Sequence, residues 1–143
     1  MKISVKGQYG LIAMTYLGLN QPNVISSSII SEKLNLSKIY LEQVFSLLKR
    51  AKLVNSEKGS NGGYTLAKPA SLITAYDILY AIETKLFERF ILSSETNHIE
   101  TALDELVYKR IDNDLINNLK AISLDDLVIK AKGNSIQAHM YYI

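Results

Sequence analysis

At 143 residues the chain has the length of one domain, or of a small domain with an attached arm, and its 48% apolar content is enough to bury a core and argues against disorder. It has no cysteine, which excludes disulfides, thiolate metal sites and cysteine nucleophiles and leaves His98 and His139 as the two imidazoles. The formal net charge of +2 divides unevenly: residues 1–68 carry nine lysines or arginines against three acids, +6, whereas residues 69–143 carry seven against eleven, −4. The N-terminal half alone therefore has the balance of a polyanion binder.

Val5 to Asn20 reads as a first helix, because Val5, Tyr9, Ile12, Tyr16 and Leu19 recur at steps of three and four before Pro22 stops it. Its start carries Lys2, Lys6 and the Ser4 hydroxyl. Cations beside free backbone N–H groups suit a phosphate, although a solvated helix end reads the same way. The first residues lead straight into this helix rather than into a signal-peptide core, and no apolar run is long enough to span a bilayer, so a soluble, cytoplasmic protein is expected. Ser26, Ser27 and Ser28 compete to cap a short helix from Ile29 to Leu34 with Ile30 and Leu34 inward, and Asn35 and Leu36 make a turn.

With Ser37 as N-cap, a step of 100° per residue places Tyr40, Leu41, Val44, Phe45, Leu47, Leu48 and Ala51 on one side of a third helix. Lys38, Ile39, Glu42, Gln43, Ser46, Lys49 and Arg50 fall on the other, where Ile39 is the exception to a wholly polar stripe. A short strand (Leu53 to Lys58), a tight turn (Gly59 to Gly63) and a returning strand (Tyr64 to Ala67) closed by Pro69 follow. A two-faced helix followed by a basic-tipped hairpin has the form of a DNA-reading head, helix in the major groove and hairpin on the flanking backbone or minor groove.

A fourth helix is predicted over Ile73 to Thr84, capped by Thr74 with Ile78, Leu79 and Ile82 inward, and Lys85 to His98 reads as a loop or broken helix. Ile99, Leu103, Val107, Ile111, Leu115 and Leu119 recur every fourth residue in a long helix ending at Ile122. That step drifts around a 3.6-residue helix, so the stripe should wind across the surface. A domain this small does not readily cover it, and a two-fold copy would, giving an isologous dimer through Leu103, Val107, Ile111, Leu115 and Leu119. A last short helix is expected from the Ser123 cap to Lys132, ended by Gly133 and Asn134.

The run SKIYLEQ, then LLKRAKLV, KGSNGGY and LAKP, together with MKISVKGQYG at the start, resembles the IscR/CymR family of bacterial winged-helix regulators. The resemblance implies a mainly α fold with a small β-hairpin wing: a winged helix-turn-helix plus a long C-terminal dimerisation helix. Residues 1–84 are then the DNA-binding domain, with the helix-turn-helix at about 25–48 and the wing at 53–67. Residues 85–98 are a connecting loop at the position of the family's cluster-binding segment, and 99–143 hold the dimerisation helix and tail. One branch of the family binds an iron-sulfur cluster through three cysteines. This chain has none; His98 falls near the third, and one imidazole holds no cluster. No cofactor and no metal are expected, and the likeness shifts to the cluster-less branch of cysteine-metabolism repressors.

The reading is a dimeric repressor, not an enzyme, on a two-fold symmetric double-stranded operator. Glu42 and Gln43 suit base edges; Lys38, Lys49, Arg50, Lys58, Asn61 and, at the first helix, Ser4 and Lys6 suit the backbone and flanking groove. Lys58 and Gln8 stand where family members commonly carry arginine, which weakens two cationic contacts. Competing patterns are poorer: Ser46-x-x-Lys49 has no partner motif for acyl transfer, and the glycine turn precedes a strand and lacks nucleotide-binding spacing. The alternative from another class is a protein-interaction module without specific DNA binding. The tail through Tyr141, Tyr142 and Ile143 becomes apolar where termini normally turn polar. It is either a carboxylate-bearing ligand, for which the resemblance implies cysteine synthase as partner, or a segment packed on the dimer.

Overall fold

Ser4, Ser26, Ser37, Thr74 and Ser123 each stand one residue before a helix, and the hydroxyl of each accepts a backbone N–H three residues on, at 3.0 to 3.3 Å. Small hydroxyl side chains satisfy amides that have no intrahelical partner, so they set where helices begin. The structure, a computed structural model, describes residues 2–88 and 97–141. These caps open α1 (Val5–Leu19), α2 (Ser27–Leu34), α3 (Lys38–Arg50), α4 (Ala75–Ile82) and, past two further helices, α7 (Leu124–Tyr141). Asn97 caps α5 (His98–Leu103), which runs through a π-helical turn at Asp104–Tyr108 into α6 (Lys109–Lys120). Between α3 and α4 lies an antiparallel hairpin of β1 (Val54–Glu57) and β2 (Gly63–Leu66), in register Val54 opposite Leu66 and Glu57 opposite Gly63.

Leu41, Val44, Phe45 and Leu48 of α3 are fully buried against Ala13, Met14 and Leu17 of α1, Ile30 of α2 and Ile78 of α4. Behind α2, Asn35 adopts the left-handed conformation at φ 53°, which asparagine tolerates better than most residues, and so turns the chain into α3. Past α3, Lys52 does the same at φ 60°; its N–H reaches Lys49 O and the Leu53 N–H reaches Leu48 O, both at 3.0 Å. That pair of bonds closes the helix as a Schellman motif and delivers Leu53 to the core. Ile25 and Tyr64 exchange two backbone hydrogen bonds, at 3.0 and 2.8 Å, which fasten the hairpin to the start of the helix-turn-helix.

Several expectations from spacing are corrected. The inward face of α1 is Gly7, Gly10, Ala13, Met14 and Leu17, while Val5 and Ile12 are exposed. The helix is apolar nearly all round, so periodicity does not select a face; close approach does, because a Cβ on Gly10 would meet Ile82 and one on Gly18 would meet Val128. Leu34 and Ala51 are exposed because both lie where the chain leaves its helix. Of the loop or broken helix expected over Lys85 to His98, the described part begins in a 3-10 turn, Thr84–Phe87, and residues 89–96 lie outside the described residues.

The stripe on the long helix is split by its surroundings. Ile99, Leu103, Leu106, Val107 and Ile111 are exposed, whereas Leu115 and Leu119 are half-buried on α6, which packs on α4. A π turn takes more residues per revolution, so within Asp104–Tyr108 a four-residue step falls short of a full turn instead of overshooting it. The winding is locally reversed. α7 does not stop at Gly133: a glycine inside a helix costs about 1 kcal/mol, and helix formers on both sides carry the helix through it to Tyr141. Its first half belongs to the core through Leu124 and Val128, held by Leu124 N–H to Ile73 O at 2.7 Å and Ala75 N–H to Ile122 O at 2.9 Å. Among the described residues no helix is long and apolar enough to cross a membrane.

Candidate DNA-binding surface

With one side of α3 sealed in the core, the other faces solvent along its length: Lys38, Ile39, Glu42, Gln43, Ser46, Lys49 and Arg50 are all exposed. Thirteen residues make a rod about 20 Å long, longer than the major groove is wide. Lys38 and Glu42 form an exposed i, i+4 pair at 3.9 Å, worth at most a few tenths of a kcal/mol and easily exchanged for another partner. Lys49 and Arg50 stand in the last turn, where cations complement the helix dipole.

Lys6 joins this stripe from α1. A shallow depression is lined by Lys6, Ile39, Glu42, Gln43, Ser46 and Leu47, and the Lys6 ammonium sits 5.8 Å from the centre of the Tyr40 ring. The spacing of α1 and α3 is held by Tyr9, whose ring meets Tyr40 edge-on at 5.2 Å and whose hydroxyl accepts the Ser37 N–H at 3.1 Å. Tyr9 was read from the sequence only as one of the repeating apolar positions.

Ser4 is engaged on two sides at the start of α1. Its Oγ caps α1 by accepting the Gly7 N–H, and its own backbone N–H donates to Glu83 Oε1 at 3.0 Å. Two amides at this helix start are thus already used, and the hydroxyl hydrogen remains a donor. Glu83, 79 residues away, carried no sequence signal for this position. Its Oε2 is buried with no hydrogen-bond partner and lies 2.5 Å from where a Cβ of residue 7 would be, so a larger residue there would make the carboxylate shift. A carboxylate beside the start of α1 leaves attraction of a polyanion at this end to Lys2 and Lys6.

Lys58 and Asn61 are exposed at the tip of the hairpin, where Gly59 takes φ 109° and the Gly62 N–H closes on Gly59 O at 3.0 Å. The base of the hairpin is packed on the core by contrast: the Tyr64 ring stacks on buried Phe45 with centres 4.0 Å apart and planes 2° from parallel. Burial, and after it the Glu42 carboxylate, push the Tyr64 hydroxyl above its ordinary pKa of 10.0. Of the five residues expected to dimerise, Leu103, Val107 and Ile111 are solvent-exposed, as is Leu106 beside them, whereas Leu115 and Leu119 are half-buried. Tyr141 ends α7, and Tyr142 and Ile143 lie outside the described residues.

The Rrf2 family signature, described as an iron-dependent transcriptional regulator, matches residues 3–130. The chain is 38% identical over 146 aligned positions to the HTH-type transcriptional regulator CymR of Bacillus subtilis, covering all of both chains. It is 41% identical over 86 residues to IscR of Cereibacter sphaeroides, covering 58% of this chain and 56% of that one. Among solved structures it superposes on CymR (YrzC), the global cysteine regulator of B. subtilis, with a TM-score of 0.77 at 34% identity, over 91% of this chain and 98% of that one. On IscR of T. potens the TM-score is 0.72 at 31% identity, over 92% and 88% of the two chains. The iron in the family description finds no donor set among the described residues. The chain has no cysteine, and among the described residues no three histidines, aspartates or glutamates gather at a point that could hold a metal ion. Sequence match, superposed fold and helix-turn-helix geometry agree that this chain belongs to the Rrf2 family and is a winged helix-turn-helix transcriptional regulator.

Proposed function

We propose that the protein is a dimeric repressor that places one α3 in the major groove of each half of a two-fold symmetric operator. The observation that carries the reading is the polar stripe of α3, fully exposed and continued by Lys6 from α1, on the half of the chain that holds the +6 balance. Residues 1–84 with the first half of α7 form the head. The exposed apolar segment from Ile99 to Ile111 is the face a second copy covers.

Within the head, Gln43 is suited to pair bidentately with adenine and Glu42 to accept from cytosine N4. Lys6, Lys38, Lys49 and Arg50 supply backbone contacts, Ser4 adds its hydroxyl, and Lys58 with Asn61 reaches the flanking groove. Selection from a random DNA pool tests this. Gln43→Ala should lose about 1 to 3 kcal/mol of discrimination at one position per half-site, while Lys58→Ala weakens all sequences evenly and flattens the salt dependence. An unchanged selection profile for Gln43→Ala refutes the base assignment. Binding indifferent to salt favours the interaction module instead.

Regulation of cysteine or sulfur genes extends the full-length likeness to CymR. With it goes cysteine synthase as a partner of Tyr141, Tyr142 and Ile143. In support, residues 132–140 of α7 are all exposed, Met140 at 71%, and none of them is folded back on its own protomer. Removal of Ile143 should abolish capture of cysteine synthase and leave the melting temperature unchanged; no complex with the intact chain refutes the partner.

A further inference from the structure

Ile39 lies in the first turn of α3, in the middle of the polar stripe, and is 71% exposed. Its neighbours at three and four residues on are Glu42 and Gln43, and all three line the depression that Lys6 closes from α1. No cation or hydrogen-bonding group is offered at this position, so it contributes nothing to a phosphate or to a polar base edge. The major groove presents one apolar group on its unmodified bases, the C5-methyl of thymine. The N-terminal turns of a recognition helix are the part that meets base edges, and a β-branched side chain in a helix is held near one rotamer, so little freedom is lost on contact.

We propose that Ile39 reads a thymine by covering its C5-methyl group. The inference rests on the DNA-reading role of α3 set out above and adds a base identity to it. An A·T pair presents the thymine methyl beside the adenine N6 and N7 that suit Gln43, so residues 39 and 43, one helical turn apart, are matched to the same pair or to adjacent ones. Ile39 takes no part in the buried core.

The test uses the selected operator with each thymine replaced in turn by deoxyuridine, which removes the methyl and leaves the pairing intact. Affinities are measured by fluorescence anisotropy at one salt concentration. At one position per half-site the wild-type protein should bind uracil about fourfold more weakly, the equivalent of one methyl group's burial. Ile39→Ala, with its melting temperature unchanged, should bind the thymine operator more weakly by a similar factor and lose the distinction between thymine and uracil; Ile39→Val should keep part of it. Wild-type indifference to uracil at every position, with sequence-specific binding otherwise intact, overturns the proposal, as does undiminished discrimination by Ile39→Ala. Failure to select any operator overturns the parent reading instead.

Discussion

Gly63 is the first residue of β2 and sits where the hairpin meets the start of the helix-turn-helix. It takes φ 156°, and a Cβ built on it would lie 2.5 Å from both the C and the O of Ile25 and 2.7 Å from Ser26 N. These are backbone atoms, so no side chain can swing aside. Gly63→Ala must part β2 from Ile25 and with it the two hydrogen bonds between Ile25 and Tyr64. Each is worth about 1 kcal/mol net. Displacing Tyr64 from Phe45 forfeits about 1 kcal/mol more, and backbone strain adds on the order of 1 kcal/mol, so a loss of roughly 3 to 4 kcal/mol is expected. Gly59→Ala is the internal control: its φ of 109° is equally unsuited to alanine, yet nothing lies within 4 Å of the added carbon. It should cost about 1 kcal/mol. Urea denaturation followed by circular dichroism, at a fixed protein concentration, measures both. Losses within about 0.5 kcal/mol of one another would show that the approach to Ile25 does not govern stability, and the anchoring argument would fail.

Ile111→Asp should convert the protein to a monomer in sedimentation and abolish operator binding with the head still folded; a dimer surviving it refutes the proposed interface. Ile111 is the better position than Leu115, because Leu115 is half-buried on the α6 that packs on α4, and a charge there would also disturb the protomer. Lys52→Gly relieves a non-glycine residue at φ 60° and should stabilise the fold by about 1 kcal/mol, read as a rise of a few degrees in the thermal midpoint. Tyr64 keeps its proton in the folded state above pH 10.0, so its contribution to stability is full below that pH and is lost as pH rises through the folded value. Alkaline titration by phenolate absorbance should show a late-ionising component that Tyr64→Phe removes, and Glu42→Gln should lower its pKa less than exposure would.

Much of the head was legible from local chemistry. A hydroxyl before each helix, a clean two-sided pattern in α3, an asparagine at the turn after α2 and glycines at the hairpin tip act over three or four residues, and the chain records such requirements in order. The polar stripe was readable because its opposite face is strictly apolar. The same test failed for α1, which is apolar nearly all round, and its buried side was settled by how closely Gly10 and Gly18 admit Ile82 and Val128. Long-range geometry also brought Lys6 to the stripe, placed Glu83 over Gly7 and divided the repeating apolar residues of the long helix into four exposed and two half-buried. Caps and patterns belong to a segment whatever it packs against, whereas burial and a borrowed hydrogen bond are properties of two surfaces that meet only when the chain has folded.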